Sequence, residues 1–591
     1  MLRLEGIPVS PGVAIGRLYA LEEGGLRVAR RKIAPGRVEA ECLRLDEALA
    51  ASVGELERVH AEAEQHMGSE AANVFRFHIG MLHDRSMIEP MRALITDRLD
   101  AAEYAVFKTF RALAERFAAM PDSAFTTKTD DIDDLAERVI GHLTGQITAA
   151  HDDLPEDAVI LASELTPSET VGFDRDKIAG LATKYGGKTS HTAIVARALG
   201  IPAVVGVSGL TDDIDPNDET PRTVIVDGSS GVVIIDPDEA TIADYVARRE
   251  KQRTYALSLG ELADLPAVTA DGTAIQLLGN IELAEEINTV LTAGGEGIGL
   301  YRTEFLYLTR KTFPTEADHL EAYTQCLKLL GDDRPLVIRT LDLGADKYAL
   351  GHPAHSERNP FLGLRAIRYS LAQPDGFKTQ LRAILRASAL GRVRVMFPLV
   401  TSVHELRHAK LILHDLMEEF LEEGVPFDPN LKVGMMVEVP SAAIMAETFA
   451  REVDFFSIGT NDLVQYTLAV DRTNERVADL FTPTHPAVLR LIKDTVRGAR
   501  RHHIPVSCCG TAAGDVDYAV LLIGLGLRTL SVTPTDIPNI KRIIRSITVG
   551  QCERIAKKAV AFDSAATVSA FVRDKARKIV PEAFAGRPGE D

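Results

Sequence analysis

Tryptophan is missing from this chain altogether, and cysteine nearly so: five among 591 residues, at Cys42, Cys326, Cys508, Cys509 and Cys552. An odd, scattered set provides neither a disulfide framework nor a CxxC metal signature, so any special role for one of these thiols is chemical. No apolar run reaches about 18 residues, which argues against a membrane-spanning helix, and Met1-Leu2-Arg3-Leu4-Glu5 lacks the apolar core of a signal peptide. A cytoplasmic chain without direct membrane insertion is predicted. Basic charge is also short: 66 Lys and Arg against 85 Asp and Glu leave a net charge of -19, which speaks against a nucleic-acid partner and for a basic protein partner. What is present is the composition of a globular protein, 46% hydrophobic and 26% charged, in a length that suggests about three or four domains.

The hydrophobic pattern changes character along the chain. Residues 1–30 open with Gly6-Ile7-Pro8-Val9-Ser10-Pro11-Gly12-Val13-Ala14-Ile15-Gly16, a strand with turns. Residues 31–150 turn helical: Cys42, Leu45, Leu49, Leu56 and Val59 form one stripe, and similar segments run from Asn73 to Leu82, Glu89 to Leu99, Ala102 to Met120 and Asp131 to Leu143. They predict a bundle of antiparallel helices. Its 21 acidic against 14 basic side chains leave a net of -7, which fits a solvated surface as well as a basic partner. Residues 151–238 are mixed α/β, with a hairpin turn at Asp227-Gly228-Ser229-Ser230-Gly231. A linking helix is predicted within 239–262, a second large domain over 263–575, and a tail over 576–591.

One string in the α/β segment stands out: Thr183 to Gly206, which reads as strand, glycine turn, helix, strand. Gly186 and Gly187 permit a tight turn, and Ser190 is placed to cap a helix with Ile194, Val195, Ala198 and Leu199 on its apolar face. His191 then falls in the first helical turn, where free N–H groups and the positive end of the helix dipole favour a phosphoryl group and a neutral, nucleophilic imidazole. A lone histidine at a helix start is more often a cap or a surface residue.

Residues 263–575 are more regular. Apolar runs at Ile275–Leu278, Gly297–Leu300, Leu336–Ile338, Val393–Phe397, Val433–Val437, Phe455–Ile458, Pro505–Ser507 and Leu530–Val532 alternate with helical patterns and predict a (β/α)₈ barrel. Just past these runs stand Asn280, Arg302, Arg339 with Asp342, Glu438, Asn461 with Asp462, and Cys509. Taken singly, each is most simply a surface ion pair. As a set at one end of successive strands they describe a polar mouth. Its arginines suit a ligand bearing phosphate and carboxylate, and its carboxylates suit a hard divalent cation.

Gly186-Gly187-Lys188-Thr189-Ser190-His191-Thr192-Ala193-Ile194-Val195-Ala196-Arg197 resembles the phosphohistidine motif of phosphoenolpyruvate-utilising enzymes. Gly297 to Phe305, Ile338 to Asp342, Asn359 to Ala366, Met436 to Pro440 and Phe455 to Leu463 are similar to enzyme I of the phosphoenolpyruvate-sugar phosphotransferase systems, and the resemblance spans Gly6 to about Arg545. It implies a multidomain α/β protein: a phosphohistidine α/β domain with an inserted helical bundle that binds the carrier protein HPr, followed by a TIM barrel that binds phosphoenolpyruvate and dimerises. By that resemblance His191 accepts the phosphoryl group and Thr170 hydrogen-bonds its ring. Arg302, Arg339, Arg365, Arg472, Asn461 and Asp462 hold phosphoenolpyruvate, Glu438 and Asp462 ligate Mg²⁺, and Cys509 protonates the enolate carbon. The phosphoryl group then passes to HPr as the first step of sugar uptake, with the helix at 239–258 as a hinge; a regulatory, nitrogen-type relay acting on an HPr-like carrier is the alternative.

Several positions depart from the family pattern. Cys509-Gly510-Thr511 stands where Cys-Gly-Glu is usual. In the helical segment Phe75-Arg76-Phe77-His78, Leu82-His83-Asp84 and Ile132-Asp133-Asp134 replace Phe-Glu-X-His, Leu-Glu-Asp and (Val/Ile)-Arg-Asp, so that the carrier-docking surface is altered. About 150 residues precede the phosphohistidine segment, with no glycine-rich ATP loop and no sensory domain, which argues against the dikinase and synthase relatives and favours the sugar-type layout.

Overall fold

The computed structural model describes residues 1–21, 28–67, 78–118, 129–145, 154–165, 177–187, 190–210, 222–308, 312–343, 359–472, 474 and 476–584. The described residues divide into two compact units, one within Met1–Arg253 and the other within Thr254–Phe584.

In the first unit, eight strands form one mixed sheet: β1 (Leu2–Glu5), β2 (Ile7–Ser10), β3 (Val13–Ala20), β4 (Ala158–Ala162), β5 (Ile178–Thr183), β6 (Ala203–Val205), β7 (Thr223–Asp227) and β8 (Val232–Ile235). Their order is β1-β8-β7-β3-β4-β5-β6-β2. The opening expected as one strand with turns is thus three strands, because Gly6 and the Pro11-Gly12 step, with Gly12 at φ 124°, break it. β1 pairs antiparallel with β8 and β2 with β6, so the broken segment covers both edges of the sheet. β4 is buried along its whole length: Val159 and Leu161 face one cluster, Ala158, Ile160 and Ala162 another. A strand covered on both faces loses apolar-polar alternation and reads as a continuous apolar run. The Asp227 turn forms as expected. Asp227 Oδ1 accepts the N–H groups of Ser229 and Ser230 at 3.0 Å each, and β7 and β8 pair across it.

The helices lie between β3 and β4, which pair in parallel, so they are an insertion in the sheet's connectivity. Helices Val38–Met67, Arg85–Thr96, Ala102–Ala118 and Thr129–Thr144 bury Leu45, Leu56, Ile95, Ala105, Val106, Leu135 and Val139 in one core. Residues 78–82 are helical, as expected for the end of the Asn73 to Leu82 segment. The helix expected to reach Leu99 stops at Thr96. Leu99 turns left-handed at φ 54° and delivers Asp100 to Arg30 and Lys32, each 2.9 Å away.

The second unit is a closed, all-parallel eight-stranded barrel: β9 (Gln276–Ile281), β10 (Ile298–Tyr301), β11 (Leu336–Arg339), β12 (Val393–Phe397), β13 (Lys432–Val437), β14 (Phe455–Ile458), β15 (Val506–Cys508) and β16 (Thr529–Val532), with β16 pairing back onto β9. All eight expected strands are present, offset by three residues or fewer. Leu300, Val337, Met396, Met436, Phe455 and Cys509 pack together inside, while the outer helices share a larger core with the outward strand positions. The linking helix spans Glu239–Gly260, two residues beyond the expected 239–258.

Candidate active site

Parallel strands deliver their carboxyl ends to one face of a barrel, and the loops that follow converge there. Arg339 is the last residue of β11; Arg302, Glu438 and Cys509 lie immediately beyond β10, β13 and β15. Asn461 and Asp462 fall in the first turn of helix Thr460–Leu468, which follows β14. These six residues, with Asp342, Arg365 and Arg472, line a single cavity of about 830 Å³. Sequence reasoning treated Asn280 as part of the mouth, but it is not in the lining. Its carboxamide donates to the carbonyls of Cys509 (3.0 Å) and Ser531 (3.1 Å), so it ties β9 to β16 and to the residue just past β15.

The wall is a charge lattice. Arg339 meets Glu304 at 3.1 Å and Asp342 at 2.9 Å, and Arg365 meets the other oxygen of Asp342 at 2.8 Å. Arg302 is held at the rim by Glu282 at 2.7 Å. Burial works against the charge on Arg339 and Arg365, yet Glu304 and Asp342 on the first, and Asp342 and Asp462 on the second, outweigh it and hold both firmly protonated. Burial likewise opposes the charge on Asp342, but Arg339 and Arg365 hold its carboxyl below the ordinary value. Glu282 and Glu304 were not singled out from sequence. Glu304, two residues past Arg302 at a strand end, could have been found by the same rule that found its neighbour.

Other groups lack such compensation. Glu438 is pushed up to about 8, by burial first and then by Asp462 and Asp342. Its Oε1 accepts the N–H of Leu399 at 2.6 Å, from a residue held left-handed at φ 52°. A second strained residue, Ala366 at φ 51°, adjoins Arg365. Strain of this kind costs on the order of 1–3 kcal/mol and persists only where surrounding structure enforces it. Asp462 Oδ1, Arg472 Nη1 and Arg339 Nε are buried without a hydrogen-bond partner, and the 3.8 Å between Asp462 and Arg472 is too long for one. In sum the lining sets four arginines against five carboxylates, Glu282, Glu304, Asp342, Glu438 and Asp462.

Among the described residues no three His, Cys, Asp or Glu side chains form a group able to hold a metal by themselves. Two carboxylates are nonetheless what Mg²⁺ requires, since it keeps waters and takes its remaining ligands from a phosphorylated substrate. Glu438, raised by burial and then by Asp462 and Asp342, and Asp462, whose Oδ1 has no hydrogen-bond partner, fit that ion. Gly459 permits the approach, because a Cβ there would lie 2.6 Å from Glu438 Oε2. Beside them burial pushes the Cys509 thiol up to about 11, so it carries its proton at neutral pH and is equipped as an acid.

The first unit contributes the other expected feature. Ser190 caps helix His191–Leu199, its hydroxyl accepting the N–H of Ala193 at 3.4 Å, and Gly186 makes the preceding turn at φ 114°. His191 is the first residue of that helix. Val195 is buried and Leu199 half-buried as expected, and Ala193 and Ala196 are buried with them. Thr170, Lys188, Thr189 and Phe75 to Phe77 lie outside the described residues, as do the side chains of His191 and Asp133. His78 is fully buried, whereas His83 and Asp84 are exposed. No helix among the described residues is long and apolar enough to cross a membrane.

The barrel and its mouth define an enzyme acting on a small polyanion. Residues 257–549 match the family of PEP-utilising enzymes in their PEP-binding domain, 5–128 in their N-terminal domain and 154–231 in their mobile domain. Among named relatives, the phosphoenolpyruvate-protein phosphotransferase of Bacillus subtilis (strain 168) is 40% identical over 577 residues, 97% of this chain and 100% of that protein. Those of Geobacillus stearothermophilus (41% identity; 96% of this chain, 97% of that protein) and Staphylococcus carnosus (38%; 94% and 96%) align over similar lengths. The chain belongs to the phosphoenolpyruvate-protein phosphotransferase family.

Proposed function

We propose that this chain takes the phosphoryl group of phosphoenolpyruvate onto His191, releases pyruvate, and passes the group to a histidine of HPr or an HPr-like phosphocarrier, as the first step of sugar uptake. The observation that carries this reading is the mouth of the barrel, where four arginines, the Glu438 and Asp462 carboxyl groups and the Cys509 thiol line one cavity. Arg302, Arg339, Arg365, Arg472 and Asn461 bind and orient the phosphate and carboxylate of the donor. Mg²⁺, held by Glu438 and Asp462, supplies charge neutralisation at the transferring phosphoryl group.

In the transfer the bond from phosphorus to the enol oxygen breaks as the bond to a ring nitrogen of His191 forms. The electron pair left on the enolate takes the Cys509 proton at carbon, giving pyruvate and a thiolate that is reprotonated from solvent. Thr170 hydrogen-bonds the His191 ring. Residues 31–150 serve as the carrier-binding subdomain, 151–238 as the swivelling domain, 239–262 as the linker and hinge, and 263–575 as the barrel through which a cytoplasmic homodimer forms. No feature of the described residues favours the regulatory relay over this reading.

Incubation with phosphoenolpyruvate and Mg²⁺ is expected to give an acid-labile, base-stable phosphohistidine on His191. Label retained at the wild-type level in His191→Ala would sink the assignment.

A further inference from the structure

Thr511 is exposed at the mouth, immediately after the Cys509-Gly510 step, and both of its donors go to one atom. Its N–H and its hydroxyl reach Asn461 Oδ1 at 3.1 and 2.7 Å. The approach depends on Gly510, where a Cβ would lie 1.8 Å from Thr460 Oγ1, so glycine lets this segment lie against the start of helix Thr460–Leu468.

The chemistry of the two donors fixes the orientation of the amide. A backbone N–H can only donate, so the group of Asn461 that faces Thr511 is its carbonyl oxygen and not its NH₂. The hydroxyl on the same oxygen reinforces that choice, and the β-branched side chain of threonine holds its χ1 stiffly. Nδ2 and its two hydrogens are thereby turned away from residue 511, on a side chain that lines the cavity. A carboxylate at 511 would act in the opposite sense. Its side chain has no donor to add to the backbone N–H on Asn461 Oδ1, and it would offer the NH₂ an acceptor that competes with an anionic ligand.

We infer that Thr511 is a positioning residue, which locks the Asn461 carboxamide so that its NH₂ is presented to an oxygen of the bound anion. The inference rests on the proposed phosphoenolpyruvate reaction and assigns a residue that acts through Asn461 without touching the reacting atoms. With a hydroxyl at 511 the orienting contact carries no ionisable group, so it holds at every pH at which the protein is folded.

The test is the dependence of pyruvate release on phosphoenolpyruvate concentration, with Mg²⁺ and a phosphocarrier present. Thr511→Val keeps the shape and the backbone N–H but removes the hydroxyl. It is expected to raise KM by about five- to ten-fold, the worth of one orienting hydrogen bond, while kcat changes by less than about two-fold. Thr511→Ser is expected to restore KM to within about two-fold of the wild type, and Thr511→Val should have no further effect in an Asn461→Ala background. An active wild type with an unchanged KM in Thr511→Val overturns the inference. So does a KM rise of the same size in the Asn461→Ala background, since Thr511 would then meet the ligand itself. A wild-type chain that releases no pyruvate overturns the proposed function, and this inference with it.

Discussion

The two units build their distinctive features by opposite means. In the first, a strand, a glycine turn, a capped helix start and a second strand follow one another within Ile178–Val205, and local bonds such as Ser190 Oγ to the Ala193 N–H set the geometry. In the second, the mouth draws on strand ends from Arg302 to Thr511, and its geometry comes from ion pairs that link loops distant in sequence, as Arg365 does with Asp342 and Asp462. A feature built from near neighbours survives changes elsewhere. One built from crossing ion pairs fails as a unit when a central member goes.

The sharpest way to break that contrast is Arg339→Ala. This guanidinium is buried against Glu304 and Asp342, and its removal leaves buried carboxylates facing one another. A loss of roughly 3 kcal/mol or more is expected, together with a fall in pyruvate release of at least about a thousand-fold. Denaturant unfolding of the full chain, read by the transition of the barrel, measures the first. A barrel transition identical to the wild type would show that the lattice is not a unit.

Ser190→Ala should cost much less, about 0.5–1 kcal/mol, the lower part of the range for a lost helix cap. Its effect should stay local: faster amide exchange at Ala193, with the barrel transition unmoved. A shift of the barrel transition would contradict the local character assigned to the first unit.

Least is expected from Asp100→Asn. The hydrogen bond from Arg30 holds the Asp100 carboxyl at about 2, below its ordinary value of 3.8, with Lys32 helping and burial opposing. A depressed carboxyl contributes stability that is fully present above its ordinary value and is lost as pH falls towards about 2. Protection of the amides of helix Ala102–Ala118 should therefore decline between about pH 4 and pH 2 in the wild type, and more weakly in the variant. Equal declines in both would mean that Asp100 does not tie the Leu99 turn to the helices.

The sequence by itself determined the strand count of the barrel, the helical insertion, the Asp227 hairpin and the Ser190 cap. Each is written in near neighbours: an apolar run between helical patterns, a stripe at Leu45, Leu49 and Leu56, a turn rich in Asp, Gly and Ser. The sequence's strand ends also marked Arg302, Arg339, Asp342, Glu438, Asn461, Asp462 and Cys509, because a residue just past a parallel strand has few other places to go, whereas Arg365 and Arg472 came from the family resemblance and Glu282 and Glu304 were missed. Asn280 misled for an equally physical reason. It lies within β9 and turns its amide to Cys509 and Ser531, and periodicity does not distinguish an inward polar side chain from one beyond the strand end.

Only the tertiary structure decided how the mouth's charges are shared: that Asp342 bridges Arg339 and Arg365, that Glu282 holds Arg302, and that Thr511 orients Asn461 across a gap of 50 positions. It also decided that β1 and β2, neighbours in the chain, lie at opposite edges of the sheet. Such pairings depend on which strand closes next to which and on how much water burial removes. Those are properties of the assembled chain, and no local window of sequence holds them.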